Sequence, residues 1–174
     1  MRLGLLMASA ILLCAVGTVP AAETGDGGNS EAKMAAMANP FTTVASLADA
    51  EERAGFRISP LKALPGDYGE EPVVMLFKGG EMIQLIYEEP LDGRRIVYRI
   101  SRSMPPDVMN GDYSEYDRDE KISLGSLSLR VKGSEGVVYA AEWSQGGLNY
   151  CLLVDDGIDD LELEDMLLGP RDRG

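Results

Sequence analysis

The sequence predicts an α+β domain: an antiparallel meander sheet of about six strands with an N-terminal and a C-terminal helix packed on it. Three observations predict it. Between residues 73 and 154 apolar side chains recur at every second position in short runs broken by glycine and proline, the pattern of antiparallel strands with one buried face. Before those runs, residues 46–55 carry a helix start and stop; after them, residues 158–168 form an acidic, apolar-periodic stretch ended by Gly169-Pro170. Strands grouped between helices, rather than alternating with them, belong to the α+β class.

The first helix opens at Ser46-Leu47-Ala48-Asp49, a capping-box pattern with Asp in place of Glu. Leu47, Ala50 and Ala54 share one face, and Gly55 followed by Phe56 makes a C-terminal cap. At about two and a half turns the helix must dock on a neighbour to persist. Pro60, Pro65 and Gly66 punctuate the next stretch, with Leu61, Leu64 and Tyr68 as its apolar anchors. Strands are predicted over 73–77, 82–88, 95–102, 122–132, 137–143 and 148–154. In the second, Ile83, Leu85 and Tyr87 alternate with Gln84 and Glu88; in the third, Ile96, Tyr98 and Ile100 oppose Arg95, Arg99 and Ser101. The fourth changes phase at Gly125-Ser126, which predicts a bulge. The last two form a hairpin across Ser144-Gln145-Gly146-Gly147. The terminal helix, over 158–168, places Ile158, Leu161, Asp165 and Leu168 on one face, with Leu167 beside it. The acids at its start suit the helix dipole.

Composition excludes more than it assigns. The chain has 174 residues, a net charge of −13 and no histidine. This length suits one domain. The negative balance argues against nucleic acid and anionic membrane surfaces. The missing histidine excludes Ser-His-Asp and Cys-His catalysis and His-ligated zinc. Residues 1–21 read as a secretory signal peptide: Arg2, an uncharged run over 3–19, then Val19-Pro20-Ala21 as the cleavage step. An uncleaved signal anchor tethering the chain to a membrane is the alternative. A lipoprotein signal fails because Leu13 precedes Cys14. Cleavage removes Arg2 and no acid, so −13 becomes −14 and Cys151 remains as the one cysteine, with no internal disulfide. Its apolar surroundings read as those of a buried, unreactive thiol. Residues 22–39 form a flexible spacer of small polar residues, and residues 40–170 a single domain.

The candidate chemistry is sparse. Ser30-Glu31-Ala32-Lys33 matches the S-x-x-K of penicillin-binding enzymes, but it sits in the spacer without partner motifs. Glu88-Glu89 and Asp155-Asp156 are adjacent on strands, so their side chains diverge and do not form a glycosidase pair. Arg95, Arg99, Arg102, Arg130 and Lys132 fall on polar strand faces, where cross-strand pairing with Glu81, Glu88 and Glu142 is expected. The longest irregular segment, 103–120, interleaves acids with tyrosines. It lacks the calcium-loop pattern, and no metal or other cofactor is expected. Its Met109, Tyr113, Glu115, Tyr116, Asp117 and Asp119, together with Trp143 and Tyr150 of the last hairpin, form the candidate binding surface, since tyrosine and tryptophan favour interfaces.

The order of motifs carries a resemblance. Asn39-Pro40-Phe41 is followed by Ser46-Leu47-x-x-Ala50-Glu51, Ala54-Gly55-Phe56, Leu64-Pro65-Gly66-x-Tyr68 and Ile86-Tyr87. Lys132-Gly133, Trp143-x-x-x-Gly147-x-x-Tyr150 and an acidic terminal helix close the series. Together they resemble an extracytoplasmic domain of unknown function common in Gram-positive bacteria. That family occurs in secreted proteins, in lipoproteins and behind the membrane helix of anti-sigma-factor-like proteins. The resemblance implies an envelope location and no catalytic residues. This chain departs from anchored members in lacking a lipobox and a cytoplasmic segment.

The functional expectation is a secreted, non-enzymatic binding or sensing module of the cell envelope, its partner an envelope protein or ligand. The alternatives are a lipid or lipoprotein carrier with an apolar groove and, more weakly, a carboxylate-dependent envelope hydrolase.

Overall fold

The computed structural model of the chain describes residues 39–171; the stretches read as a signal peptide (1–21) and, but for Asn39, as a spacer (22–39) lie outside the described residues. Its elements are β1 (Phe41–Thr43), α1 (Leu47–Ala54), β2 (Val73–Phe77), β3 (Met82–Glu88), β4 (Arg95–Ser101), α2 (Pro106–Asn110), β5 (Arg118–Leu124), β6 (Leu127–Ser134), β7 (Val137–Gln145), β8 (Leu148–Ile158) and α3 (Asp160–Leu168). The class is α+β with one antiparallel sheet, but the sheet has eight strands in the order β1-β2-β3-β4-β8-β7-β6-β5. It is therefore two meanders, β1 to β4 and β5 to β8, joined where the central strands β4 and β8 pair.

The two extra strands have separate origins. β1 is three residues long, too short to show a period, and exists because it pairs with β2, Phe41 opposite Phe77. The stretch 122–132 is two strands. Leu124 faces Leu127 across a two-residue turn in which Gly125 has a φ of +57°, so the phase change is a reversal of direction and not a bulge. The register irregularities lie elsewhere, at Lys132/Gly133 and at Val138/Ala140. At the first, a Cβ on Gly133 would collide with the Val137 carbonyl oxygen. The hairpin between β7 and β8 turns on Gly146-Gly147, both with positive φ, as a two-residue loop on a twisted ribbon requires.

α1 starts where Ser46 accepts from the Asp49 N–H and ends at Gly55. α3 starts two residues later than the spacing implies, because β8 runs on to Ile158 and a capping box between Asp159 and Glu162 fixes the first turn. Its buried residues are Leu163 and Met166, while Leu161 and Leu168 are exposed. α2 lies within the segment read as irregular, with Pro106 in its first turn and Gly111 as its C-cap.

The sheet has an apolar layer on each side. On one side Ile83, Leu85, Ile96, Ile100, Leu129, Val131 and Leu152 meet Ala50 of α1 and Leu163 and Met166 of α3. On the other, Met82 and Cys151 meet Met109 of α2, with Phe41, Phe77, Met104 and Leu153 around them. Strand alternation sends neighbours such as Cys151 and Leu152 to opposite layers.

Candidate ligand-binding cleft

Between α1 and β2, residues 56–72 cross the α1/α3 side of the sheet as an irregular strap. Pro60, Pro65 and Pro72 restrict its backbone, and three hydrogen bonds place it. The Ile58 N–H donates to Glu51 Oε1 at 2.8 Å, the Lys62 N–H to the Met166 carbonyl of α3 at 2.7 Å, and the Gly69 N–H to the Glu88 carbonyl at 3.1 Å. Phe56, Ile58, Leu61, Leu64 and Tyr68 turn inward against the core.

The strap borders three hollows, two of which adjoin across residues 60–62. The larger, about 560 Å³, lies between the strap, α1 and strands β2 and β3, and is walled by Leu47, Leu61, Leu64, Tyr68, Val74 and Tyr87, with Glu70 and Glu71 also lining it. That is within the range of small-molecule pockets. Tyr87 is only 2 % exposed, and its hydroxyl makes no sound hydrogen bond among the described residues. Burial raises its pKa, opposed by the Leu61 backbone N–H, which approaches the hydroxyl without the geometry of a full hydrogen bond. A sealed hydroxyl without a partner is costly, so Tyr87 marks a place where a polar group is owed a partner.

The smaller hollow, about 190 Å³, is lined by Tyr98, Trp143, Tyr150, Leu127 and Met166, with Lys62 also on its wall. Trp143 and Tyr150 are cross-strand partners whose rings stack at 5.0 Å and 4°; Tyr98 lies 6.0 Å from Trp143. Tyr98 and Trp143 are 5 % and 6 % exposed, and neither side chain has a hydrogen-bond partner among the described residues. Burial holds Tyr98 far above the ordinary tyrosine range, so its hydroxyl is a neutral donor. Pro60, Leu61 and Lys62 line both hollows.

The opposite side of the sheet carries a polar row at one register level: Met75, Gln84, Arg99, Cys151, Glu142 and Arg130 are successive cross-strand partners. Arg99 Nε donates to Gln84 Oε1 at 2.8 Å and Arg99 Nη1 to the Met109 and Asn110 carbonyls at 2.6 and 2.9 Å, which pins the end of α2. Glu142 Oε1 accepts from Asn110 Nδ2 at 2.6 Å and from Lys132 Nζ at 2.8 Å. Cys151 is buried in this row, and desolvation pushes its thiol up to about 12.

This arrangement divides the residues singled out in the sequence. Met109 is buried against Met82 and Cys151. Tyr116 stacks on Tyr139 and donates to Asp112; burial and then that carboxylate push its pKa up to about 12. Tyr113 stands 96 % exposed, with Glu115 and Asp117 exposed beside it. Asp119 accepts two bonds from Arg130, at 2.6 and 2.7 Å, and these hold its carboxyl below the usual range. Trp143 and Tyr150 belong to the layer on the other side of the sheet, so the loop and the hairpin do not form one surface.

Three of the four paired acids are occupied. Glu89 caps its own turn through the Leu91 and Asp92 N–H groups, while Asp155 and Asp156 pair with Arg95 and Arg94. Of the anticipated cross-strand pairs, Lys132–Glu142 forms, whereas Arg102 donates to the Gly55 carbonyl. Among the described residues no three potential ligating side chains gather into a metal site, and no helix is long and apolar enough to cross a membrane. Sequence reasoning marked Leu61, Leu64 and Tyr68 as anchors and Tyr87 and Tyr98 as inward-facing, but nothing in it signalled a cleft between them. Compared with protein-family models, curated proteins and solved structures, the chain matches none.

Proposed function

We propose that this chain is a non-catalytic binding module of the bacterial cell envelope that takes a small apolar ligand in the strap cleft. The signal-like run over residues 3–19 supports the location. The observation that carries the reading is the 560 Å³ hollow walled by Leu47, Leu61, Leu64 and Val74, with the unpartnered Tyr87 hydroxyl among them. Mainly apolar walls with few placed polar groups are the usual make-up of such sites.

The test is saturable, one-to-one binding of a fluorescent acyl-chain probe to the purified chain, checked by native mass spectrometry. Ala63→Trp, which fills the hollow from its partly exposed wall, is expected to weaken the probe at least about tenfold, since lost apolar burial of a few CH2 groups amounts to that. No saturable binding to folded protein refutes the reading.

A second reading, a protein-binding surface on the 103–120 segment, is favoured by one observation: Tyr113 and Val108 are large apolar-bearing side chains left exposed. Its test is loss of an envelope pull-down in Tyr113→Ala/Val108→Ser, which spares the buried Met109 and Asn110.

A further inference from the structure

We propose that the two hollows form one site for a long-chain carboxylate, its apolar chain in the larger hollow and its carboxylate in the smaller, held between Lys62 and the Tyr98–Trp143–Tyr150 cluster. This rests on the binding reading above and adds the chemistry of the ligand and its direction.

Tyr98, Tyr150 and Trp143 line the smaller hollow; their hydroxyls and indole N–H have no hydrogen-bond partner among the described residues and are not sealed from water. An indole N–H only donates, and neutral phenols near an anion donate too. Three such donors around one hollow suit an acceptor that replaces their water, and a carboxylate offers about four acceptor positions.

Charge gives the direction. The chain is strongly acidic, and Arg94, Arg95, Arg118, Arg130 and Lys132 are all matched to carboxylates. Lys62 is exposed, lines both hollows and has no ion pair among the described residues. No carboxylate lines the smaller hollow, whereas Glu70 and Glu71 line the larger. An anionic head is repelled from the larger hollow and attracted to the smaller, while the apolar wall of Leu47, Leu61, Leu64 and Val74 receives the chain. Leu61, common to both hollows, lies where the chain passes from one to the other.

Trp143, the one tryptophan of the chain, is a built-in reporter because it lines the head-group hollow. The full chain is titrated with dodecanoate, dodecanol and dodecyltrimethylammonium, following Trp143 fluorescence and binding heat. Dodecanoate is expected to saturate the signal and to bind about tenfold more tightly than the other two, as a charge-assisted hydrogen bond would provide. Lys62→Glu, a surface change, is expected to reverse the order of the anion and the cation. Equal binding of dodecanol and dodecanoate, or an unchanged order in Lys62→Glu, overturns the carboxylate assignment and leaves the apolar cleft standing. Binding of none of the three overturns both.

Discussion

Glu142 is a carboxylate kept inside a sheet, 5 % exposed, with Asn110 and Lys132 both donating to one of its oxygens. Removing one member of such a group strands the others without water. Glu142→Leu is therefore expected to cost about 3 kcal/mol, and Glu142→Gln, which keeps an acceptor for Asn110, distinctly less. Urea denaturation of the two variants checks the order; equal losses would contradict it. That Lys132 and Glu142 meet was legible, because both fall on the polar face of neighbouring strands. The partner of Arg95 was not. Its register partner is Glu88, yet it pairs with Asp155 of β8, and which strand lies beside β4 is a fact of topology that no local pattern encodes. Likewise the inward placement of Tyr87 and Tyr98 follows from alternation, but their lack of hydrogen-bond partners depends on where the strap settles.

At the scale of elements, α2 is a helix of five residues, too short to hold by its own hydrogen bonds. Arg99 supplies what is missing by donating to the carbonyls of Met109 and Asn110, and Met109 adds its buried side chain. Arg99→Met keeps the apolar stem and removes the donors. Hydrogen exchange of the amides in 107–113 is expected to accelerate about tenfold or more, as the loss of charge-assisted bonds implies, while the amides of β3 hardly change. Uniform acceleration across the sheet would mean that Arg99 stabilises the fold and not the helix. Elements with several periods, such as β3, β4 and β7, were readable from alternation. β1 spans too few residues to show a period. The β5–β6 turn was hidden because reversing a strand at two residues and bulging it both shift the phase by one. The buried face of α3 was misplaced because Ile158, counted into the helix, belongs to the strand before it, and the capping box resets the start.

For the molecule as a whole, burial raises the pKa of Tyr87, Tyr98, Tyr150 and Cys151 together. The unfolded chain begins to release these protons near the ordinary thiol and phenol values of 9.0 and 10.0, while the folded chain keeps them. Their contribution is thus complete below pH ~9 and falls as pH rises toward the folded values. The melting temperature is expected to decline steeply above that point, and Cys151→Ala to decline less; a flat profile to pH ~10.5 would contradict this. The order β1-β2-β3-β4-β8-β7-β6-β5 has its own consequence during synthesis. Each meander closes through near neighbours in the chain, but β4 pairs with the last strand made, Ile96 to Ser101 opposite Asn149 to Val154. Until β8 emerges, β4 is an open edge of apolar residues, the kind of surface that templates wrong partners. The nascent chain therefore carries its greatest aggregation hazard in the middle of what becomes its most protected seam.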